Sequence, residues 1–355
     1  MNIPLHSLLR KKLRSWFRSL LPKTVHSSSE QNFINPKEIS KIVIVRPNYR
    51  IGNIIFLTPI INELHRIIPN AKIDIIVGMK LAGNILKPIP NVDEVIDIPR
   101  KLLLHPLDMI SFINIRRKKR YDLAINISAG SVSSELVTAF LNAKYKASFQ
   151  NDKTFIQLTH SVKKEDLFTH SGSRPLELLK LFSSNIPTDN LELDIKLSNQ
   201  ELIQGQNELD SLLQKFHTPQ NNLAIALFRN ARFDKKISDE WWNDWHKELL
   251  KLNSAITVID ILSPDIMNKL NEQCLEYSNK DLRLLGAFFH ACDLYVSADT
   301  GPLHLSCASK AKTLAFFNKT DINTYGTLGS SNKTIDINGI TPKDAAFYTY
   351  TLLKA

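Results

Sequence analysis

The segment Ser297–Leu305 combines a tight turn with polar side chains that suit the binding of a phosphate group. It follows the short apolar run Leu294–Val296, and His304 lies one helical turn beyond the glycine of Asp299–Pro302. A helix that begins at such a turn offers backbone N–H groups and a partial positive charge to an anion. Proline fits its first turn, where a missing N–H costs nothing. The pattern predicts a phosphate-receiving turn or, alternatively, an ordinary strand-to-helix turn capped by Asp or Thr.

The residues Asp-Thr-Gly-Pro-Leu-His-Leu at 299–305 resemble the signature of glycosyltransferase family 9, the bacterial lipopolysaccharide heptosyltransferases. Two further segments resemble that family in the expected order. Lys41–Pro59 is similar to its opening strand, Gly-Asp turn and helix, and Asn230–Trp242 is similar to the segment that opens its second domain. The resemblance extends from Lys41 to the C-terminus and depends on the combination of the three segments.

Strand-like apolar runs alternate with helical periods along most of the chain. The first series begins with the strand Ile42–Val45, and a second series follows a helix predicted over Asn199–Phe216. Such alternation predicts an α/β fold with parallel sheets covered by helices on both faces. The second series also includes a helix predicted over Asp265–Tyr277. A chain of 355 residues is long for a single core, so two domains are expected.

The family resemblance implies a GT-B architecture, in which two doubly wound Rossmann-like domains face a cleft. We therefore expect residues 1–32 to form a basic amphipathic helix and linker, residues 33–198 an N-terminal acceptor-binding domain, and residues 199–355 a C-terminal nucleotide-sugar-binding domain. In open α/β sheets ligands bind outside the carboxyl ends of the strands, so both sites are expected at those ends.

Two basic stretches carry the net charge of +10. Residues 1–25 contain six Lys or Arg and no acidic residue, and the run Arg116–Arg120 adds five more basic residues. The rest of the chain is therefore close to neutral. A nucleic-acid-binding protein more often carries a basic stripe across its domain, so the charge distribution argues against a nucleic-acid partner.

The first of these stretches has the period of an amphipathic helix over residues 9–21. Its apolar residues are Leu9, Leu13, Trp16, Phe17, Leu20 and Leu21, and most of its basic residues lie on the other side. This pattern predicts an interfacial helix on an anionic membrane surface, or alternatively a helix packed on its own protein. Arg14 and Arg18 interrupt the apolar core that a secretory signal needs. No apolar run reaches the roughly 18 residues of a membrane span.

Residues suited to disulfides or metals are sparse. The three cysteines, Cys274, Cys292 and Cys307, are scattered and odd in number, which indicates a reducing compartment rather than a disulfide framework. The sequence contains no Asp-x-Asp pair and no clustered His/Cys pattern of the kind that holds a divalent ion. We expect a reaction without a metal, in agreement with the family that the chain resembles.

The resemblance implies that the second domain binds the nucleotide-sugar donor. Asp299, Thr300 and Gly301 would receive the diphosphate and the sugar. His304 can face the same pocket, although a capping or packing histidine would also suit this position.

Two residues upstream are expected to contact the same donor. Lys235 matches a family lysine that contacts donor phosphate, and Asn230 aligns with a family hydroxyl or small polar residue. A cation suits this place because the leaving nucleoside diphosphate gains negative charge as the glycosidic bond breaks. The alternative for Lys235 is a solvated surface lysine beside Lys236.

Asn53 departs from the family at a position of chemical importance. The family carries Asp after the glycine that corresponds to Gly52, placed to take the proton from the attacking acceptor hydroxyl. Asn has no basic lone pair near neutral pH. Three interpretations follow: another residue supplies the base, the acceptor is positioned without strong base help at a cost of roughly 10²–10⁴ in rate, or the protein binds without catalysing.

The remaining acceptor-side residues are predicted at the carboxyl ends of strands in the first domain. Arg46 and Arg50 flank the opening turn and could bind acidic groups of an acceptor. Alternatively, both are solvated surface residues. Ser128 and Gly130 lie in the loop that follows the strand Leu123–Ile127. We expect this loop to contact the acceptor.

These observations favour an inverting, metal-independent glycosyltransferase of the heptosyltransferase type that uses no cofactor. The resemblance implies transfer of heptose from ADP-heptose to a lipopolysaccharide core or a related surface glycan. The amphipathic N-terminus would hold the protein peripherally at the cytoplasmic face of the inner membrane. The alternative, motivated by Asn53, is a catalytically inactive member that binds nucleotide sugar or glycan.

Overall fold

The structure, a computed structural model, describes residues 33–98, 106–151, 154, 156–163, 167–186, 191–216 and 222–354. These residues form two six-stranded sheets, and every strand pairs in parallel with its neighbours. The predicted α/β class is therefore confirmed. The predicted helix over residues 9–21 lies outside the described residues. Within the described part, no helix has the length and apolar character that a membrane crossing requires.

The first sheet is built from the first series of alternating elements. Its strands are β1 (Lys41–Arg46), β2 (Lys72–Val77), β3 (Val92–Asp97), β4 (Arg120–Asn126), β5 (Asn142–Phe149) and β6 (His160–Val162). The helices in this part of the chain are α1 (Ile51–Ile55), α2 (Thr58–Ile67), α3 (Ala82–Leu86), α4 (Pro106–Arg117) and α5 (Val132–Phe140), with 3₁₀ turns at Pro36–Glu38 and Arg174–Leu181. The spatial order is β3-β2-β1-β4-β5-β6. The apolar run Ile42–Val45 is fully buried, as expected for a central parallel strand with both faces covered.

The second sheet repeats the same arrangement. Its strands are β7 (Leu223–Phe228), β8 (Ile256–Ile261), β9 (Leu275–Tyr277), β10 (Leu294–Ala298), β11 (Thr313–Phe317) and β12 (Lys333–Asp336). The accompanying helices are α6 (Asn199–Lys215), α7 (Asp239–Leu252), α8 (Leu282–Ala291), α9 (Gly301–Ala308), α10 (Ile322–Tyr325) and α11 (Pro342–Lys354), with a 3₁₀ turn at Phe233–Lys235. The spatial order is β12-β11-β10-β7-β8-β9. Trp242 and Trp245 of α7 are fully buried in its core.

Each sheet changes direction once along its strand order. In the first sheet the chain runs from β1 through β2 to β3 at one edge, and then from β4 through β5 to β6 at the other edge. The topological switch point therefore lies between the adjacent strands β1 and β4. In the second sheet the switch lies between β7 and β10. Loops diverge at such a point and leave a crevice at the carboxyl ends of the strands. The topology alone therefore marks the loops after β1, β4, β7 and β10 as ligand-binding candidates.

The chain forms two compact units, and these are not continuous in sequence. Of the described residues, the first unit comprises those through Arg50 together with those in Ile60–Phe168 and Ser173–Pro187. The second comprises Ile51–Pro59, Thr169–Gly172 and the described residues from Thr188 onward. Helix α1 is thus part of the second unit, where it packs on α9.

The predicted helix over Asp265–Tyr277 is wrong. An irregular segment follows β8, and the chain re-enters the sheet as the short strand β9. The side chain of Asn271 accepts a hydrogen bond from the backbone N–H of Gln273 and donates to the side chain of Asn243 on α7. Asn side chains that bond nearby backbone compete with helical hydrogen bonding, so the apolar period alone misleads here.

A partly buried ion pair connects the start of α6 to α8 and makes the stability depend on pH. Arg283 Nε lies 2.5 Å from Glu201 Oε1, and the Arg283 guanidinium also donates to the carbonyls of Ile195 and Lys196. The hydrogen bond from Arg283 lowers the pKa of Glu201 from 4.5 to about 2, against the opposing effect of burial. A depressed carboxyl pKa stabilises the fold above the unfolded-state value, and that stability is lost as the pH falls towards the folded-state value.

We therefore expect Glu201→Gln to lower the free energy of unfolding at pH 7 by about 3 kcal/mol. The difference from wild type should shrink as the pH falls from about 4.5 to about 2, because both proteins then lack the charge. Urea unfolding across this range measures the effect. Asp244→Asn, which removes an exposed pair with Lys247, is the matched control and should cost less than about 1 kcal/mol. Equal costs for the two variants would contradict the prediction.

Candidate functional site

Three loops meet at Asp299, at the carboxyl edge of the second sheet. Asp299 directly follows β10, and its Oδ2 lies 2.5 Å from Lys235 Nζ in the 3₁₀ turn after β7. The hydroxyl of Thr320, which lies beyond the end of β11, donates to the same oxygen. Because β7, β10 and β11 are neighbours, residues far apart in sequence come together at the switch point. The two predicted residues Lys235 and Asp299 are therefore partners, and Thr320 is an addition that the sequence did not indicate.

The N-terminus of α9 opens beside this cluster. Thr300 is its N-cap residue with an extended backbone, but the Thr300 side chain makes no capping hydrogen bond. The helices α6, α7 and α8 are capped by Ser198, Ser238 and Asp281 in the usual way. Backbone N–H groups in the first turn of α9 are thus not covered by a cap side chain, and such groups attract anions.

Two glycines allow α1 and α9 to approach closely. A Cβ atom at Gly301 would collide with Cγ2 of Ile51, and one at Gly52 would lie 2.6 Å from Cδ2 of His304. Neither glycine has the positive φ that would itself demand glycine. The two positions are therefore restricted by packing rather than by turn geometry. This packing places Asn53, the next residue of α1, in the same unit as the predicted donor residues.

His304 is a buried, neutral histidine. Its ring packs on Phe56, with 4.4 Å between ring centroids, and only 5% of the residue is exposed. Burial lowers its pKa to about 3; His170 and Lys235 lower it further, while Asp299 acts in the opposite direction. Its Nδ1 is buried and has no hydrogen-bond partner among the described residues. A buried ring nitrogen of this kind can bond a ligand atom, but an imidazole with so low a pKa is a poor base.

His170 is a second histidine in this cluster, and sequence reasoning did not predict it. Its Nδ1 accepts a hydrogen bond from the N–H of Gly172, so Nε2 carries the proton and donates to the carbonyl of Gly326 at 2.9 Å. The ring also contacts Phe56 edge to face. Both ring nitrogens are thus engaged, and His170 supports the packing around His304 rather than offering a base.

Arg229 directly follows β7 and precedes the predicted residue Asn230. Its guanidinium pairs with Asp260 at 2.9 Å and with Asp239 at 2.8 Å, and it is buried. These bonds hold the loop that leads to Lys235. Asn230 follows at the carboxyl end of the strand and is partly exposed.

The other predicted residues lie at the switch point of the first sheet. Arg46 ends β1, and the N–H of Arg50 bonds the side chain of Asn48 in the loop beyond it. Ser128 and Gly130 lie in the loop after β4. Gly130 has a φ of 78°, and its N–H donates to the buried carboxylate of Glu135 at 2.7 Å. The positive φ of this turn favours glycine at position 130. These four residues belong to the first unit, whereas Gly52 and Asn53 belong to the second.

Within the ranges that the structure describes, no group of three or more His, Cys, Asp or Glu side chains could hold a metal ion. The three cysteines are buried and unpaired with one another.

Comparison with known proteins identifies this arrangement. The sequence profile of glycosyltransferase family 9 (heptosyltransferase) matches residues 111–347, whereas no curated protein sequence matches the chain. The structure of a family 9 glycosyltransferase from Veillonella parvula DSM 2008 is similar, with a TM-score of 0.72, 16% identity and coverage of 89% of this chain and 97% of that one. E. coli heptosyltransferase WaaC with ADP has a TM-score of 0.68, 19% identity and coverage of 88% and 99%.

A third structure, E. coli ADP-heptose lps heptosyltransferase II, has a TM-score of 0.68, 17% identity and coverage of 89% and 99%. At these identities the likeness establishes the fold, which is GT-B. The family profile covers well over half of the sequence. The chain is therefore a glycosyltransferase and belongs to glycosyltransferase family 9, the heptosyltransferase family.

Proposed function

We propose that this enzyme transfers a heptose from ADP-heptose, with inversion and without a metal ion, to a lipopolysaccharide core or a related surface glycan. The observation that carries the proposal is the cluster of Lys235, Asp299 and Thr320 beside the uncapped start of α9. Two structures of the same fold, both of E. coli WaaC, contain ADP and ADP-2-deoxy-2-fluoro heptose. A nucleoside diphosphate sugar is the class of ligand that suits such a cluster.

The donor would bind with its diphosphate against Lys235 and the N–H groups of Thr300 and Gly301. Negative charge grows on the diphosphate as the glycosidic bond breaks, and a preorganised cation and aligned N–H dipoles stabilise it in the transition state. Asp299 holds the Lys235 ammonium in place before the donor binds. Its carboxylate would also accept a hydrogen bond from a hydroxyl group of the sugar. His304 Nδ1 and Asn230 would complete the polar contacts.

The acceptor would be held by the loops at the switch point of the first sheet. Arg46 and Arg50 would bind its acidic groups, with Ser128 and Gly130 beside them. Asn53 occupies the position of the family base but cannot take a proton. Neither His304 nor His170 replaces that base, because the first is neutral with a low pKa and the second has both ring nitrogens engaged. We infer that the wild-type enzyme relies on positioning of the acceptor.

The proposal extends to domain roles and location. Residues 33–198 would bind the acceptor and residues 199–355 the donor. Residues 1–32 would place the enzyme peripherally at the cytoplasmic face of the inner membrane, where a lipid-linked acceptor is found. Thermal unfolding with a panel of nucleotide sugars tests the donor assignment, since a ligand at 100 times its Kd stabilises the fold by about 2.7 kcal/mol.

Lys235→Ala should weaken the binding of the stabilising nucleotide sugar by about 1.5–3 kcal/mol, which is the scale of a hydrogen bond to a charged group. Isothermal titration calorimetry measures the change. Lys236→Ala is the matched control, because Lys236 is adjacent and exposed; it should bind donor like wild type. Unchanged affinity in Lys235→Ala would remove this residue from the donor site. Donor binding by wild type without transfer to any glycan acceptor would favour a binding protein instead.

A further inference from the structure

Tyr49 lies in the loop that follows β1, and its ring packs on the backbone at Gly78, directly after β2. A Cβ atom at Gly78 would lie 2.6 Å from Cε1 of Tyr49, 2.8 Å from Cζ and 2.9 Å from Cδ1. Gly78 has no positive φ, so its backbone conformation does not itself demand glycine. Position 78 is restricted to glycine because the tyrosine ring occupies the space that a side chain would need.

The three distances show which side of the ring faces Gly78. They are nearly equal, as they are when an atom lies above the plane of an aromatic ring. An edge-on approach to Cε1 would leave Cζ and Cδ1 clearly farther away than Cε1. One face of the Tyr49 ring therefore rests on Gly78. Since that face is covered, the partial exposure of Tyr49 belongs to the rest of the side chain.

Hydrogen bonds fix the loop that carries this ring. The carbonyl of Asn48 accepts from the N–H of Gly78 at 3.1 Å, and the N–H of Asn48 donates to the carbonyl of Arg46 at 2.7 Å. The side chain of Asn48 accepts from the N–H of Arg50 at 2.9 Å. The backbone is thus held on both sides of Tyr49. The ring is oriented before a ligand binds, which lowers the entropic cost of binding.

The position of the ring and its neighbours indicate the class of ligand. Tyr49 lies beyond the carboxyl end of β1, at the edge of the sheet where ligands of open α/β folds bind. Arg46 and Arg50, which would bind acidic groups of the acceptor, lie in the same segment. Each carbon of a sugar ring carries oxygen, so the C–H groups on its face have partial positive charge. They attract the negative face of an aromatic ring.

We propose that Tyr49 is the stacking platform for a sugar ring of the acceptor, and that Gly78 sets the orientation of this platform. The inference rests on the proposed function, because it names the part of the acceptor that the first unit recognises. That part is a sugar ring with a face of C–H groups, next to an acidic substituent. Tyr49 determines acceptor specificity and takes no part in proton transfer, and Gly78 is a positioning residue.

Calorimetric titration of the full-length protein with a deacylated lipopolysaccharide core oligosaccharide tests the platform. Tyr49→Ala should bind it at least about tenfold more weakly than wild type, because the variant loses buried area and the contact with the ring face. Tyr49→Phe keeps the ring and should bind like wild type. Tyr145→Ala is the matched control, since Tyr145 is a partly exposed tyrosine of the same unit within β5.

Three results of this titration would overturn the proposal. They are absence of binding by wild type, unchanged affinity in Tyr49→Ala, and an equal loss in Tyr145→Ala. The affinity for nucleotide sugar should be the same in all of these proteins. Thermal unfolding checks that each variant is folded, and Tyr49→Phe keeps the test valid even if removal of the whole ring disturbs the loop.

A double-mutant cycle tests the role of Gly78. Gly78→Ala should weaken oligosaccharide binding several-fold, because the added methyl group displaces the Tyr49 ring. In the Tyr49→Ala background the same substitution should have no further effect, since no ring is left to displace. A loss of equal size in both backgrounds would show that Gly78 acts independently of Tyr49, and would overturn the positioning role.

Saturation-transfer NMR supplies a contact readout that does not depend on turnover. Saturation of the aromatic protons of the protein should pass to C–H protons on one face of an oligosaccharide ring in wild type and Tyr145→Ala, and much less in Tyr49→Ala. Binding that depends on Tyr49 without sugar transfer would support the platform and contradict the proposed transfer. Sugar transfer with unchanged oligosaccharide binding in Tyr49→Ala would overturn the platform and leave the proposed transfer in place.

Discussion

Replacing Asp299 by alanine should lower the rate of sugar transfer by about 10²–10³, the usual effect of removing one preorganised polar group from a transition-state site. The Asp299 carboxylate orients both Lys235 and Thr320, so its loss would free the ammonium and remove a sugar contact together. The fold should survive, because Lys235 is 36% exposed and can be solvated when its partner is gone. Steady-state transfer assays, with thermal unfolding of each variant, measure the two effects.

Three further variants serve as controls for the transfer assay of Asp299→Ala. Asp336→Ala removes an exposed Asp at the end of the neighbouring strand β12 and should leave transfer unchanged. Thr320→Val should lower transfer less than Asp299→Ala, and Thr320→Ser should restore it, since only the hydroxyl orients the carboxylate. Full activity in Asp299→Ala would show that the donor binds elsewhere.

Asn53→Asp should raise the transfer rate by about 10² or more, because it installs a carboxylate where the family has its general base. The carboxamide and carboxylate have nearly the same shape, so α1 should accept the change. The new pH profile is diagnostic: activity should fall at acid pH as the carboxylate takes up a proton and loses its basic form. Wild type, which lacks this group, should not show that acid limb.

The outcomes of this substitution separate the open interpretations of Asn53. An unchanged or lower rate in Asn53→Asp would show that another residue already acts as the base, and would contradict catalysis by positioning alone. If neither form transfers sugar while both bind donor, the protein is a binding member of its family. Asn53→Ala is the control for shape, and it should not gain activity.

The sequence by itself determined the features that are local in the chain. Alternating apolar runs predicted the α/β class, because buried parallel strands and amphipathic helices each impose their own period. The Asp299–His304 segment predicted the start of α9, since its Gly and Pro act within one turn. Local reasoning failed at Asp265–Tyr277, where side-chain bonds to the backbone and to α7 outweighed the helical period.

Only the tertiary structure decided which distant residues meet. Lys235, Asp299 and Thr320 converge because β7, β10 and β11 are neighbours in an order that differs from the chain order. Phe56 and His170 join His304 because segments 51–59 and 169–172 pack into the second unit, which no local pattern indicates. The low pKa of His304 likewise arises from burial. Strand order, packing and burial depend on contacts between distant residues, and these contacts give the site its chemistry.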